Sequence, residues 1–348
     1  MNNYSEHLIL LNNTIQSALI QLNSLGKDAI LMVVDEESKL VGSITDGDVR
    51  RGLIKGITID QQISNIIQPH PRFIRKEEYD IRKIIEFRDN NYRVIPVLDK
   101  SDKVIRIINF GEMYSYLPLD AVIMAGGLGK RLLPLTATIP KPLLKVGDKP
   151  IIDHNISRLI MFGVDNVWIS VKYLGEQISD YFGNGDKWKV KIDYIWEDQP
   201  LGTIGAVSKI KDFKHDYVLV SNSDLLTNLD YEQFFLDFLN QDADMSVLTI
   251  PYHVNVPYAV LEVNNKIVSS FKEKPLYTYY SNGGIYLIKR SILGLIPENS
   301  HFDATDLLEK LINEGYKVTS FPLSGYWLDI GSPEDFSKAQ VDINNIKF

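Results

Sequence analysis

A strand-like apolar run, "AVIMA" (residues 121–125), empties directly into "GGLGKR" (126–131), and ten residues beyond Arg131 a lysine, Lys141, stands between two prolines. No other stretch limits the fold as much. Gly126, Gly127 and Gly129 let the backbone turn tightly and present N–H groups to an anion without interference from Cβ atoms. Read as a strand-to-helix junction, the loop also gains the partial positive charge of a helix N-terminus. The residues therefore predict a phosphate site in an α/β domain. Two common phosphate loops do not fit. No Gly-Lys-Ser/Thr is present, which excludes a Walker A loop. The dinucleotide pattern needs a third glycine where Leu132 stands. What remains is Gly-Gly-x-Gly-x-Arg followed by Pro-Lys-Pro. Arg131 can grip phosphate oxygens bidentately and stays charged at every relevant pH. Lys141 adds a compact charge. Together they suit displacement at a phosphoryl centre, where positioning and charge stabilisation carry the reaction.

The 348 residues predict two domains. Near "YLPL" (116–119) the pattern changes, so the boundary is expected at about residue 117, giving domains 1–117 and 118–348. After it, strand-like and helix-like segments alternate. "NVWISVKY", "KIDYIW", "YVLVSNSD", "DMSVLTI" and "GIYLIK" read as strands; "NISRLIMFG", "YEQFFLDFLN" and "ATDLLEKLINEG" read as helices. That order argues for an α/β fold, a Rossmann-like, mainly parallel sheet with helices on both faces. A net charge of −8 gives no reason to expect a nucleic-acid surface. The chain has no cysteine, which excludes disulfides and thiolate chemistry. No apolar run approaches the ~20 residues of a membrane span. The start, "MNNYSEHLILLNNTIQ", lacks the basic region and cleavage site of a signal peptide, so no membrane contact and a cytoplasmic location are expected.

The first 115 residues repeat. "VVDEESKLVGSITDGD" (33–48) aligns with "PVLDKSDKVIRIINFGE" (96–112), placing Asp35 on Asp99, Lys39 on Lys103, Gly47 on Gly111 and Asp48 on Glu112. A helix-like stretch precedes each copy, which predicts two units related by a pseudo-twofold axis. The first copy, "GSITDGDVRRG", resembles a CBS domain, and the pair resembles a tandem CBS module of α+β architecture. That resemblance implies a regulatory adenine or guanine nucleotide, with Thr45 near its phosphate and Asp48 on its ribose. It also implies a homo-oligomer. The second copy departs from the pattern: Arg106, Asn109 and Glu112 stand where the first has Gly42, Thr45 and Asp48. A spacer or dimerisation module without ligand is the alternative.

The glycine loop and its sequel, "AVIMAGGLGKRLLPLTATIPKPLLKVGDKPIID", resemble the signature of sugar-1-phosphate nucleotidylyltransferases. The likeness continues in order through "EDQPLGTIGAV", "VLVSNSDLL", "PYAVLEV", "FKEKP", "NGGIY" and "YWLDIGSPEDF". It implies a nucleotidyltransferase fold and an attack by a sugar 1-phosphate on the α-phosphorus of a nucleoside triphosphate, with pyrophosphate leaving. It implies that Ala125, Gly126, Gly127 and Gly129 wrap the triphosphate and that Arg131, Lys141 and Asp224 are catalytic. Mg²⁺ would be held by Asp224 and Asp329. Gly202 and Thr203 would approach the base, whose edge Glu197 or Gln199 would bond. Tyr258, Ala259, Glu273, Lys274 and Asn282 would face the sugar phosphate. Ala259 departs from the Tyr-Gly of many relatives and would trim the range of sugars. Trp327 is expected to pack rather than bind.

A CBS pair ahead of such a domain resembles the glucosamine-1-phosphate guanylyltransferases of the legionaminic acid pathway, which implies GTP and glucosamine 1-phosphate. Mannose 1-phosphate with GTP, or glucose 1-phosphate with a thymidylyl or uridylyl donor, fits the same motifs. Two readings of another kind stay open: a nucleotide-sensing regulator, and a glycosyltransferase of similar fold. Against the second, "SNSD" carries Asn222 where such enzymes place the first aspartate of Asp-x-Asp.

Overall fold

Asp35 and Asp99 close the same turn. In the computed structural model, which describes residues 4–346, Asp35 Oδ1 accepts the N–H groups of Glu37 and Lys39 at 2.9 and 2.8 Å. Asp99 Oδ1 accepts those of Ser101 and Lys103 at 2.8 and 3.0 Å. Ser38 and Asp102 both take left-handed backbone angles, φ 66° and 62°. The two turns then bond each other: Leu40 donates to the Asp102 carbonyl at 3.0 Å and Val104 to the Ser38 carbonyl at 3.2 Å. An aspartate two to four residues ahead of free N–H groups is a local device, so a repeat in sequence becomes a repeat in structure.

The chain divides into two units. One runs to Leu117 and takes in Ile160–Asp165 and Trp188–Val190; the other holds Pro118–Leu159, Asn166–Lys187 and the chain from Lys191 onward. The first unit contains β1 (Leu8–Leu10), α1 (Ile15–Leu25), β2 (Ile30–Val34), β3 (Leu40–Thr45), α2 (Asp46–Ile54), β4 (Ile74–Arg75), α3 (Ile81–Asp89), β5 (Val94–Leu98) and β6 (Val104–Asn109). In each copy a parallel pair is followed by an antiparallel one: β1–β2–β3 and β4–β5–β6. Met32, Val34, Val94, Leu98, Val104 and Ile107 from both sheets share one buried cluster. The copies differ after the last strand. α2 follows β3, whereas β6 runs into a turn.

The second unit contains β7 (Leu119–Ala125), β8 (Lys145–Val146), β9 (Lys149–Pro150), α4 (Ile151–Met161), β10 (Asn166–Val171), α5 (Gly175–Phe182), β11 (Lys191–Trp196), β12 (Tyr217–Asn222), β13 (Leu225–Thr227), α6 (Tyr231–Asn240), β14 (Met245–Asn255), β15 (Val260–Asn264), β16 (Ile267–Lys272), β17 (Leu276–Lys289), α7 (Ala304–Asn313), β18 (Val318–Pro322), β19 (Trp327–Asp329) and α8 (Pro333–Asp342). Seven strands form one sheet in the order β11-β10-β7-β12-β17-β14-β18. All neighbours run parallel except those of β17 on β12 and β14.

β7 is almost wholly buried, as the covered strand of a parallel sheet must be. Its one charge, Asp120, accepts at Oδ2 the N–H groups of Lys214 and His215 at the strand's start, at 2.8 and 2.9 Å. α6 shows why its residues make a helix. Asp230 caps it by accepting from Gln233 at 3.0 Å, and Tyr231, Phe234, Phe235 and Phe238 recur at helical spacing on the buried face.

β7 has β10 on one side and β12 on the other, so successive connections leave it in opposite directions. That reversal opens a crevice beyond the carboxyl ends of β7, β10, β11 and β12. β14 runs in the same direction as β7 and β12, and from its carboxyl end the chain passes into a separate hairpin, β15 and β16, before returning as β17. Leu261 faces Phe271 and Val263 faces Val268 on one side of the hairpin, and all four are more than half exposed.

Candidate functional site

The loop after β7 is held by local bonds and one buried anchor. The expected helix is absent there. Lys130–Leu132 makes a single 3₁₀ turn and the next α-helix is α4. The reason lies in Leu132, which stands where the dinucleotide pattern wants glycine. It is buried with Leu144, Val146, Leu226 and Ile330, and this small core pins the loop to β13 and to the segment after β19. The loop therefore has no α-helix dipole behind it and offers only its own N–H groups and side chains. Gly129 sits at φ 62°, and a Cβ there would stand 3.0 Å from both Lys141 Cβ and Thr136 Cγ2. The Thr136 hydroxyl donates to the Gly129 carbonyl at 2.9 Å. Tyr173 and Gln177 hold the far side of the loop through the carbonyls of Thr136, Ala137 and Thr138.

A cavity of about 600 Å³ opens at the crevice. Of the residues expected to act on substrates, it brings together Gly126, Gly127, Gly129, Arg131, Lys141, Glu197, Gly202, Thr203 and Asp224. Asp224 is reached through β13 rather than by capping a helix. Leu225 pairs with Asp329 across β13 and β19, and Ile330 N–H donates to the Asp224 carbonyl at 3.0 Å. This register sets the two carboxylates side by side.

Lys141, only 9% exposed, bonds Asp224 Oδ2 and lies 4.0 Å from Asp329 Oδ1. Among the described residues Asp329 Oδ1 is buried and accepts no hydrogen bond. Burial, with the Asp224 carboxylate adding to it and Lys141 and Arg131 opposing it, raises the Asp329 carboxyl above the ordinary range. The Arg131 guanidinium lies over Gly331, where a Cβ would come within 3.0–3.2 Å of its Cζ and Nη atoms. Arg131, Lys141 and Asp224 thus line the cavity, and Asp329, which does not line it, stands behind Lys141 and beside Asp224.

Glu197, which lines the cavity, is also bonded within the protein. It is buried, and its carboxylate accepts the Ser170 hydroxyl and the Leu201 N–H, the latter at 3.0 Å. Gly126 passes directly over it; a Cβ there would lie 2.7 Å from Glu197 Oε1. The carboxylate ties the glycine loop to β10 and to the 200–205 segment. Gln199 does not line the cavity, and its amide donates to the Asn299 carbonyl at 2.8 Å. Thr203 is fastened to Asp303 Oδ1 by its N–H, at 2.8 Å, and by its hydroxyl. Ala125 is buried in β7, behind the cavity.

The residues expected on the sugar side are not gathered at the cavity wall. Tyr258, Ala259, Glu273 and Lys274 are exposed at the root of the β15–β16 hairpin. Asn282, on β17, accepts from Gly284 N–H and Tyr286 Oη at 2.9 and 3.0 Å. Trp327 donates to the Gly283 carbonyl at 2.9 Å.

In the first unit, Thr45 and Asp48 form the capping box of α2. Asp48, 3% exposed, accepts the Thr45 N–H (2.9 Å), the Thr45 hydroxyl (2.7 Å), Gln68 (2.8 Å) and Arg51 (2.5 Å). A ribose at this carboxylate would have to displace one of those four. At the equivalent place in the second copy, Asn109 donates to Asp28, which also receives Arg93.

Among the cavity residues that were not anticipated are the titratable Lys172, His301 and Asp303. Lys172 follows β10 directly and donates to the carbonyls of Glu197 and Asp198 at 3.3 and 2.8 Å. A cation just past a parallel strand beside the switch point was a readable signal. Asp303 reads in sequence only as the N-cap of α7, and nothing marks His301. Among the described residues no cluster of three or more His, Cys, Asp or Glu could hold a metal. No helix there is long and apolar enough to cross a membrane.

Residues 120–346 match the model of the family described as nucleotidyl transferase. The chain is 34% identical over 229 residues to the bifunctional protein GlmU of Methanococcus maripaludis, covering 64% of this chain and 53% of that protein. It is 32% identical over 231 residues to the D-glycero-alpha-D-manno-heptose 1-phosphate guanylyltransferase of Aneurinibacillus thermoaerophilus, covering 65% of this chain and 99% of the relative. The chain thus spans about half the length of the GlmU protein it matches. Among solved structures, HddC from Yersinia pseudotuberculosis superposes with a TM-score of 0.52 at 30% identity, over 65% of this chain and 99% of its own. The same protein in complex with GMP-PN gives 0.50 at 29% identity, over 65% and 99%. With the glycine loop and, except for Leu119, the seven-stranded sheet inside the matched residues, the chain belongs to the nucleotidyl transferase family.

Proposed function

We propose that the chain transfers a nucleotidyl group from a nucleoside triphosphate to a sugar 1-phosphate. A phosphate oxygen of the sugar attacks the α-phosphorus; the new P–O bond forms as the bond to the β-phosphate bridge breaks, and pyrophosphate leaves. The observation that carries this reading is the convergence of the glycine loop, Arg131, Lys141 and Asp224 on one cavity. The loop N–H groups hold the triphosphate. Arg131 takes the charge that builds on the departing pyrophosphate. Lys141 neutralises phosphate charge near the reacting centre. No side-chain nucleophile is required, because the attacking phosphate is already an anion.

A divalent cation fits this wall. Asp224 and Asp329 are adjacent, and among the described residues none donates to the buried Asp329 Oδ1. Two carboxylates with substrate phosphates suit Mg²⁺, which takes few protein ligands. When bound, Mg²⁺ would supply charge neutralisation and alignment of the phosphates.

GTP with glucosamine 1-phosphate is the favoured pair, for surface or flagellar glycans of the legionaminic acid type. The guanylyltransferase relative and the HddC complex with GMP-PN support the base. Glu273, Lys274 and Asn282 would hold the sugar phosphate, with Tyr258 and Ala259 trimming the sugar. The first unit would act as a tandem CBS pair that takes an adenine or guanine nucleotide near Thr45. Its twofold-related turns support that module. Association into a homo-oligomer would cover the apolar side of the β15–β16 hairpin.

Pyrophosphate release, measured with Mg²⁺ across four triphosphates and several sugar 1-phosphates, tests this. A dominant signal at GTP with glucosamine 1-phosphate is expected. A dominant signal at another pair keeps the reaction and rejects the substrates. Silence everywhere, including with adenine and guanine nucleotides added for the first unit, rejects the reaction and favours a regulator.

A further inference from the structure

The Lys141 ammonium is poorly placed for a group that only touches substrate. It is turned into the protein, with its side chain 11% exposed, against Asp224 Oδ2 and 4.0 Å from Asp329 Oδ1. The two carboxylates lie side by side because β13 pairs with β19, and Asp329 Oδ1 is buried with no hydrogen bond among the described residues. Two adjacent carboxylates in a partly buried wall repel each other and need a cation between or beside them. Lys141 is the cation that meets this need. Its neighbours Pro140 and Pro142 fix the backbone that aims it there: Pro140 is extended, and Pro142 lies in the short 3₁₀ turn that Lys141 opens.

We propose that Lys141 is the resting counter-ion of the metal carboxylates. It neutralises Asp224 and Asp329 in the substrate-free protein and gives up that place to a divalent cation as nucleotide binds, when its ammonium passes to the incoming phosphates. An ammonium and a divalent ion cannot share the same carboxylate oxygens at a few ångströms without strong like-charge repulsion. A bare cation therefore binds weakly, because it must displace Lys141 into a place with no anion. A cation arriving with nucleotide binds well, because the phosphates receive the lysine. The two ligands then bind with positive and reciprocal coupling, and Lys141 carries a share of it. This inference rests on the assignment of Asp224 and Asp329 as the metal pair, and it concerns binding rather than turnover.

The test is Mn²⁺ binding to the full chain without nucleotide, followed by the electron paramagnetic resonance signal of the free aquo ion. Lys141→Met is expected to bind Mn²⁺ at least about tenfold more tightly than the unaltered protein. Lys141→Gln should show the same gain, and serves if the methionine variant folds poorly. Lys141→Arg keeps the charge and should stay near the unaltered affinity. Adding Asp224→Asn to Lys141→Met should abolish the gain. Equal Mn²⁺ affinity, within about twofold, for the unaltered protein and both neutral variants overturns the proposal. A gain that survives Asp224→Asn also overturns it, since the ion then lies elsewhere. Failure of the nucleotidyl-transfer reading would appear instead as silence in pyrophosphate release, whatever the Mn²⁺ result.

Discussion

Asp48 in the first unit and Asp329 in the second both lie close to the end of a strand, and both come from short motifs, "TDGD" and "LDIG", that invite a ligand-binding reading. Their surroundings are opposite. Asp48 has four donors of its own, from Thr45, Gln68 and Arg51. Burial would push its carboxyl up, but these bonds outweigh burial and hold it below the usual range. Asp329 keeps one oxygen buried without a donor among the described residues, and its carboxyl is raised. A carboxylate whose donors come from its own unit stabilises that unit. One left short of donors beside a second carboxylate is costly to ionise, and a cation relieves the cost. By this contrast the first aspartate is held by bonds within its own unit, and the second is short of donors, as the metal role proposed for it requires.

Substitutions should separate the two kinds of carboxylate. The largest effect is expected at Asp224, the partner of Asp329. Asp224→Asn should lower the rate of pyrophosphate release by about a thousandfold while circular dichroism and the melting point change little. A near-normal rate with Mg²⁺ would place Asp224 with Asp48, as a structural group. Arg131→Ala should cost about a hundredfold, and Arg131→Lys should restore little of it, because a point charge cannot replace a flat fork lying over Gly331. Full rescue by lysine would show that only charge is needed there.

Asp48→Asn should act on stability instead. Losing its charge-assisted bonds should destabilise the first unit by about 1–3 kcal/mol at neutral pH, leaving basal turnover in place. The pH dependence has a definite sign. The folded carboxyl titrates below its unfolded value, so its contribution is present above the ordinary value of 3.8 and is lost as the pH falls through the folded value. The gap between Asp48→Asn and the unaltered protein in chemical denaturation should therefore be constant near neutrality and close below 3.8. A gap that widens in acid would contradict the assignment. The smallest effect is expected at Gln199, which lies outside the cavity wall. Gln199→Ala should shift the preference among triphosphates by no more than about twofold. A larger shift would show that this amide leaves Asn299 to read the base.

Much of the fold is legible because its causes are local. The buried run of β7, the aromatic spacing of α6 and the paired turns at Asp35 and Asp99 each follow from residues within a few positions of one another. So does the tight turn of the glycine loop, where Gly129 takes a left-handed conformation. Even there one neighbour misleads, since a helix was expected where Leu132 instead drops into a small core with Leu226 and Ile330.

What the amino-acid sequence determined by itself is the α/β class, the internal repeat and the identity of the charged groups. Turn chemistry, capping and apolar period act over short spans, so they can be read without coordinates. What only the tertiary structure decided is which groups meet. Lys141 and Asp224 are 83 residues apart, and Asp329 joins them through the register of β13 on β19. Glu197 becomes a brace because β10 delivers Ser170 and the glycine loop crosses above it. Lys172 and Asp303 reach the cavity by strand order and by the docking of α7. Such meetings depend on sheet order and register, and those are set by the packing of the whole unit rather than by any short stretch of the chain.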